Sequence, residues 1–155
     1  MKDKYAQLKK DVLHEKHLID ETLKKLNEIM STPDGDLQED VKKPVVGTYL
    51  MNFYNGIENI IKRISKEYYN KMPKGESWHR ELLLQSCNPP EGKISILSEE
   101  IAGRLHNYRG FRHVFVSGYG FKLSWERMSK LIDDVGPLWT DIKKAIDEFF
   151  DKINE

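Results

Sequence analysis

Cysteine is nearly missing from this chain of 155 residues, where Cys87 stands alone. No internal disulfide can form, and a cysteine-rich zinc centre cannot be built; the composition fits a reducing, cytoplasmic setting. Long apolar runs are missing too. No window approaches the roughly 18 residues needed to cross a bilayer, and the charged opening, Met1-Lys-Asp-Lys-Tyr5, lacks the apolar stretch of a signal peptide. Net charge is absent as well, since 25 basic residues balance 25 acidic ones. That balance excludes coating a nucleic acid by bulk charge and leaves room only for a local basic patch. There is no glycine-rich phosphate loop, nucleophile elbow or zinc signature, so no cofactor and no metal is expected.

What is present is helical periodicity on a heavily charged background. Tyr5, Leu8, Val12, Ile19, Leu23, Leu26 and Met30 recur at steps of three, four or seven, which predicts one amphipathic helix over residues 2–30. His14 and His17 fall on it without a third ligand in view, and are expected as surface residues. Ser31-Thr-Pro-Asp-Gly35 should end it. Residues 36–44 read as a polar connector, with Pro44 in the first turn of a second helix over about 45–69. That helix carries a wide apolar stripe containing Gly56, a residue suited to a close helix crossing. Ser77 is placed to cap a short helix over 78–87. The apolar link Lys93–Leu97 finds no partner strand. Ser98 should cap a fourth helix that ends at Gly118 and Gly120, and Ser124 a last one over 125–153, kinked or split at Gly136-Pro137. Trp78, Trp125 and Trp139 are expected in the core or at an interface, and Cys87 as a small buried group. The expected fold is all-α: an antiparallel up-and-down bundle of four long helices plus one short helix, in one domain.

One segment stands apart from this background. No acidic residue lies between Glu100 and Glu126, while Arg104, Arg109, Arg112, Lys122, His106 and His113 do. A cationic, aromatic-rich helix end in a neutral protein suits an anionic ligand, and phosphate above all.

The segments Ser77-Trp-His-Arg-Glu-Leu-Leu83, Leu97-Ser-Glu-Glu100, Tyr108-Arg-Gly-Phe-Arg-His-Val-Phe115 and Tyr119-Gly-Phe-Lys-Leu-Ser-Trp-Glu-Arg127 resemble the HepT-like proteins of the HEPN superfamily. The likeness is close over about residues 76–135; over the two N-terminal helices it is one of helix length and order. It implies a homodimeric helical bundle and a toxin that cleaves RNA without metal, paired with a minimal nucleotidyltransferase that neutralises it. This chain lacks the Gly-Ser and paired aspartates of the nucleotidyltransferase itself. The family's motif is an arginine, four to six residues, a histidine, one residue and a tyrosine. On this chain those positions fall on Arg112, Ser117 and Tyr119, so serine replaces the histidine.

The replacement bears on mechanism. RNA cleavage without metal requires the 2′-hydroxyl to lose a proton and the leaving oxygen to gain one, and histidine suits both tasks. Arginine stabilises charge on the phosphorane. Serine is no base at neutral pH without help. His113, one turn before Ser117 on a continuing helix, is the candidate substitute, with Arg109 a turn earlier. Arg104, Arg109 and Arg112 are the candidate phosphate contacts. Through the resemblance, Tyr119 is the candidate for adenylylation by the partner. Plainer roles remain open: an ion pair from Arg112 to Glu99 or Glu81, a buried edge position for Tyr119, and packing of the short helix by His79 and Arg80. Two further functions are in view: a catalytically inactive relative that binds RNA or a nucleotidyltransferase, and a helical interaction protein with no anion site.

Overall fold

Spacing of apolar residues from Val46 to Ile64 produces the most deeply buried element of the molecule. Val46, Leu50, Phe53, Tyr54, Ile57, Ile60, Ile61 and Ile64 are almost wholly withdrawn from water. Each large aliphatic side chain so buried stabilises the fold by roughly 1.5–3 kcal/mol relative to exposure. The computed structural model describes residues 3–33 and 39–154. Its five α-helices are α1 (Ala6–Met30), α2 (Glu39–Ile64), α3 (Trp78–Cys87), α4 (Glu99–Ser117) and α5 (Trp125–Ile153). Among the described residues there is no strand, and no helix is long and apolar enough to cross a membrane. Helix α2 packs against all four others, and α4 also packs against α3 and α5.

Several boundaries differ from the sequence expectation, each for a local reason. Helix α2 begins at Glu39, with Pro44 inside it rather than at its start; residues 36–38 of the expected connector lie outside the described residues. Proline removes one helical hydrogen bond, here in the partly solvated first turns, and its ring is held by packing. A Cβ on Gly120 would lie only 2.7 Å from the Pro44 Cβ. Residues Ser65–Tyr69 continue α2 as a wider π turn, and Asn70 closes it with a positive φ of 55°. The π turn presents both tyrosines to the segment after α3. Tyr69 donates its hydroxyl to the Ile94 carbonyl at 2.8 Å, and the Ile94 amide donates to the Tyr68 hydroxyl at 3.1 Å.

Ser77 does not cap α3 through its side chain. Ser98 and Ser124 do cap α4 and α5, accepting from the amides of Ile101 and Arg127. Helix α5 is not split at Gly136-Pro137 but runs unbroken from Trp125 to Ile153. The clash that normally drives the residue before proline out of the helical region involves its Cβ, and glycine has none. The carbonyl freed at Asp133 belongs to an exposed residue that water can reach. Trp139 is buried, Trp78 and Trp125 pack at the edge of the core, and Cys87 is half-buried.

Gly56 marks the crossing of α1 over α2. A Cβ there would meet Ile19 Cγ1 at 2.6 Å and Cδ1 at 2.9 Å, and Ile19 is buried and stiff at χ1. Gly56→Ala should therefore lower stability by about 1–3 kcal/mol through overpacking, less the roughly 1 kcal/mol of helix propensity regained. Gly103→Ala on α4 meets nothing within 4 Å and should raise stability by about 0.5–1 kcal/mol. Urea midpoints at constant slope measure both.

Candidate functional site

Helix α4 turns one face to the core through Ile101, Ala102, Leu105, Tyr108 and Phe111. Its arginines flank that face and meet different partners. Arg104 looks toward α5. Its Nε and Nη2 grip Asp134 at 3.2 and 2.7 Å, and Nη1 donates to Asp141 at 2.8 Å, with Glu100 at 3.8 Å. These carboxylates, Asp134 first, strengthen an already strong base. Beside this network the Tyr108 hydroxyl donates to the Leu131 carbonyl at 2.7 Å, tying α4 to α5. The Arg104 guanidinium is thus committed to carboxylates.

Arg112 looks the other way, toward α2. Its Nε donates to Asn55 Oδ1 at 2.9 Å. The ion pair to Glu99 or Glu81 does not form; among the described residues no carboxylate lies within 4 Å of Arg112 or of Arg109. Arg109 donates from Nε to His106 Nδ1 at 3.2 Å, which requires that nitrogen to be unprotonated. Burial first, then the positive charges of Arg109 and Arg80, hold the His106 pKa below the usual histidine value. Two guanidinium groups therefore sit side by side on α4, anchored by neutral hydrogen-bond acceptors.

The helix runs on through Ser117, so Arg109, His113 and Ser117 do share a stripe at four-residue steps. Ser117 nonetheless donates its hydroxyl to the backbone carbonyl of His113 rather than to the imidazole, and both residues are exposed. Tyr119 lies past the helix end and is 70% exposed, not buried at the bundle's edge; the Lys122 ammonium sits 5.8 Å from its ring centroid. Close packing of the chain on α2 sets this corner. A Cβ on Gly47 would lie 2.7 Å from the Phe115 ring and 3.0 Å from Leu123. Val114 and Val116, in the last turns of α4, are exposed as well.

Sequence reasoning passed over the residues of α2 that receive α3 and α4. Glu58 is only 4% exposed; its Oε2 lies 2.7 Å from His79 Nδ1 on α3, and its Oε1 3.9 Å from Lys62 Nζ. Trp78 stacks on the His79 ring at 3.6 Å, and Lys62 lies 4.5 Å from the Trp78 ring centroid. The Tyr54 hydroxyl is buried without a well-formed hydrogen bond. Burial first, then the Glu58 charge, raise its pKa strongly, while Arg109 and Arg112 pull it back. Tyr54 thus lies within electrostatic reach of Glu58, Arg109 and Arg112, and Asn55 beside it receives Arg112. The available signal was an acidic residue set between Ile57 and Ile61 in an otherwise apolar stripe. His14 and His17 are exposed, and no group of His, Cys, Asp or Glu among the described residues could hold a metal ion.

A family model described as HepT-like protein matches residues 45–153 of the chain. No curated protein and no solved structure matches it.

Neutral His106 makes stability depend on pH. The unfolded chain binds a proton at the ordinary histidine pKa of about 6.5, whereas the folded chain binds it only at lower pH. The contribution is complete above the unfolded pKa and is lost as pH falls through the depressed folded value. His106→Gln should flatten the fall in urea midpoint below about pH 6.5 relative to the parent chain.

Proposed function

This chain belongs to the HepT-like proteins, and on that premise we propose that it is the toxin of a toxin–antitoxin pair, an endoribonuclease acting on RNA without metal. The observation that carries this reading is the contrast between Arg104, saturated by three acids, and Arg109 and Arg112, which meet only neutral acceptors. Two adjacent, half-buried cations with no carboxylate within 4 Å among the described residues attract an anion, and guanidinium matches phosphate in shape and charge. Asn55 aims Arg112 by holding Nε, leaving the Nη groups for phosphate oxygens. These donors would stabilise the charge that builds on phosphorus as the 2′-oxygen attacks.

The wider reading follows the family. The single domain is an antiparallel up-and-down bundle that works as a cytoplasmic homodimer, with a cognate minimal nucleotidyltransferase as antitoxin. Exposed Val114 and Val116 beside the site support a second copy there, and the exposure of Tyr119 supports its modification by the partner. The commitment of the Ser117 hydroxyl to a backbone carbonyl favours the second reading: a catalytically inactive relative that binds RNA or the nucleotidyltransferase.

Purified protein should degrade RNA in the presence of EDTA, and Arg112→Ala should slow that by about 10²–10³-fold, the usual loss for one donor to a developing oxyanion. RNA that stays intact over long incubation, yet binds with an affinity that falls as salt rises, would instead establish the inactive binding subunit. Absence of any RNA binding would overturn the ribonuclease reading and leave the second only as a nucleotidyltransferase-binding subunit.

A further inference from the structure

Polar residues on α2 form a short row: Asn55, then Glu58 three residues on, then Lys62 four further. Positions three apart on a helix place their Cβ atoms about 5–6 Å from each other. Asn55 receives Arg112 from α4 and Glu58 receives His79 from α3. The guanidinium and the imidazole are thus brought to the same side of α2, one turn apart, by residues 33 positions distant in the chain.

The Glu58–His79 contact has the chemistry of a base and its orienting acid. A carboxylate accepts, so the Nδ1 that lies 2.7 Å from it carries the hydrogen. In the neutral ring, Nε2 then holds the lone pair. Glu58 is withdrawn from water, while the His79 side chain remains 25% exposed, so the imidazole can be reached and the carboxylate cannot. Trp78, stacked at 3.6 Å, and Lys62 beyond it brace the ring in place. Tyr54, one turn before Glu58, lies within electrostatic reach of Glu58, Arg109 and Arg112.

We infer that the Glu58–His79 pair and the Arg109–Arg112 pair form a single RNA phosphodiester site, in which His79 Nε2 is the acid–base group that Ser117 does not provide. This inference rests on the ribonuclease reading above. His79 Nε2 takes the proton of the ribose 2′-hydroxyl, and the 2′-oxygen bonds to phosphorus. The bond from phosphorus to the 5′-oxygen breaks, its electron pair staying on that oxygen, which takes a proton from water. The hydroxide so formed removes the proton from His79. The products are a 2′,3′-cyclic phosphate and a 5′-hydroxyl, with the imidazole restored. Glu58 is a positioning residue: it sets the tautomer and stabilises the imidazolium.

The test combines an uncleavable and a cleavable RNA of one sequence. Titrating the intact protein with a 2′-O-methyl oligonucleotide should shift the nitrogen NMR signals of His79 Nε2 and Arg112 Nε with a common midpoint. With the 2′-hydroxyl oligonucleotide in EDTA, His79→Gln should cleave at least about 10²-fold more slowly, at unchanged affinity for the uncleavable strand. Glu58→Gln should lower kcat on the cleavable strand with KM unchanged, because the ring loses the acceptor that fixes its tautomer, and Glu58→Asp should recover part of the loss. The charged and titratable groups around the pair, all left in place, are Tyr54 and Lys62 on α2, Arg80 on α3, and His106, Arg109 and Arg112 on α4. A shift at Arg112 without one at His79, or a His79→Gln protein that cleaves at the parent rate and pH profile, overturns the inference. If both signals shift together and the parent protein leaves RNA intact, the ribonuclease reading fails while the joint phosphodiester site stands.

Discussion

Glu58 is a carboxylate placed in the helix that every other helix packs against. Bringing such a group out of water costs several kcal/mol unless hydrogen bonds and opposite charge offset it. The burial of α2 therefore imposes a requirement on its neighbours, and α3 meets it with His79 while the next turn of α2 offers Lys62. The short helix is held at that position by a polar contact as well as by Leu82 and Leu83 in the core. Asn55, one turn earlier, makes the matching demand on α4 and receives Arg112. One row of side chains thus decides how two helices are set against the third.

The arginines of α4 show how the same residue type takes different roles within two helical turns. Arg104 closes an ion-pair network with Asp134 and Asp141, which joins α4 to α5. Most of those carboxylates keep contact with water, so the network contributes orientation more than stability. Arg109 and Arg112 face acceptors without charge. Among the described residues neither is held in an ion pair, which leaves their charge available for a phosphate contact. The partition between scaffold and candidate site runs along α4: its first half is fastened to α5, and its second half is fastened by neutral groups and left cationic.

Around the end of α4 close contacts set the chain against α2. Gly47 admits the Phe115 ring, and Gly120 admits the Pro44 ring. These contacts hold the turn over Gly120–Lys122 against the start of α2 and leave Tyr119 outside. Ser117, turned back on the His113 carbonyl, closes the helix end and does not reach toward the arginines.

Sequence periodicity determined the helical class, the five helices and most of the core, because a 3.6-residue apolar repeat with charged intervals can bury itself in only one way. The residues of α4 likewise pointed to a local anion site, since a stretch without acids is visible at once. Proline and glycine were read less well. The consequence of Pro44 and of Gly136-Pro137 depends on where the freed carbonyl lies and on what packs on the ring, which only the assembled helices define. The same holds for the site. Arg104, Arg109 and Arg112 look alike in the chain, and the partners that separate them, Asp134, His106 and Asn55, are 30, 3 and 57 residues away. Whether His79 is a packing residue or an oriented base depended on Glu58, 21 residues earlier. A buried acid shows its meaning only when the tertiary structure removes the water around it and brings a partner within hydrogen-bonding reach.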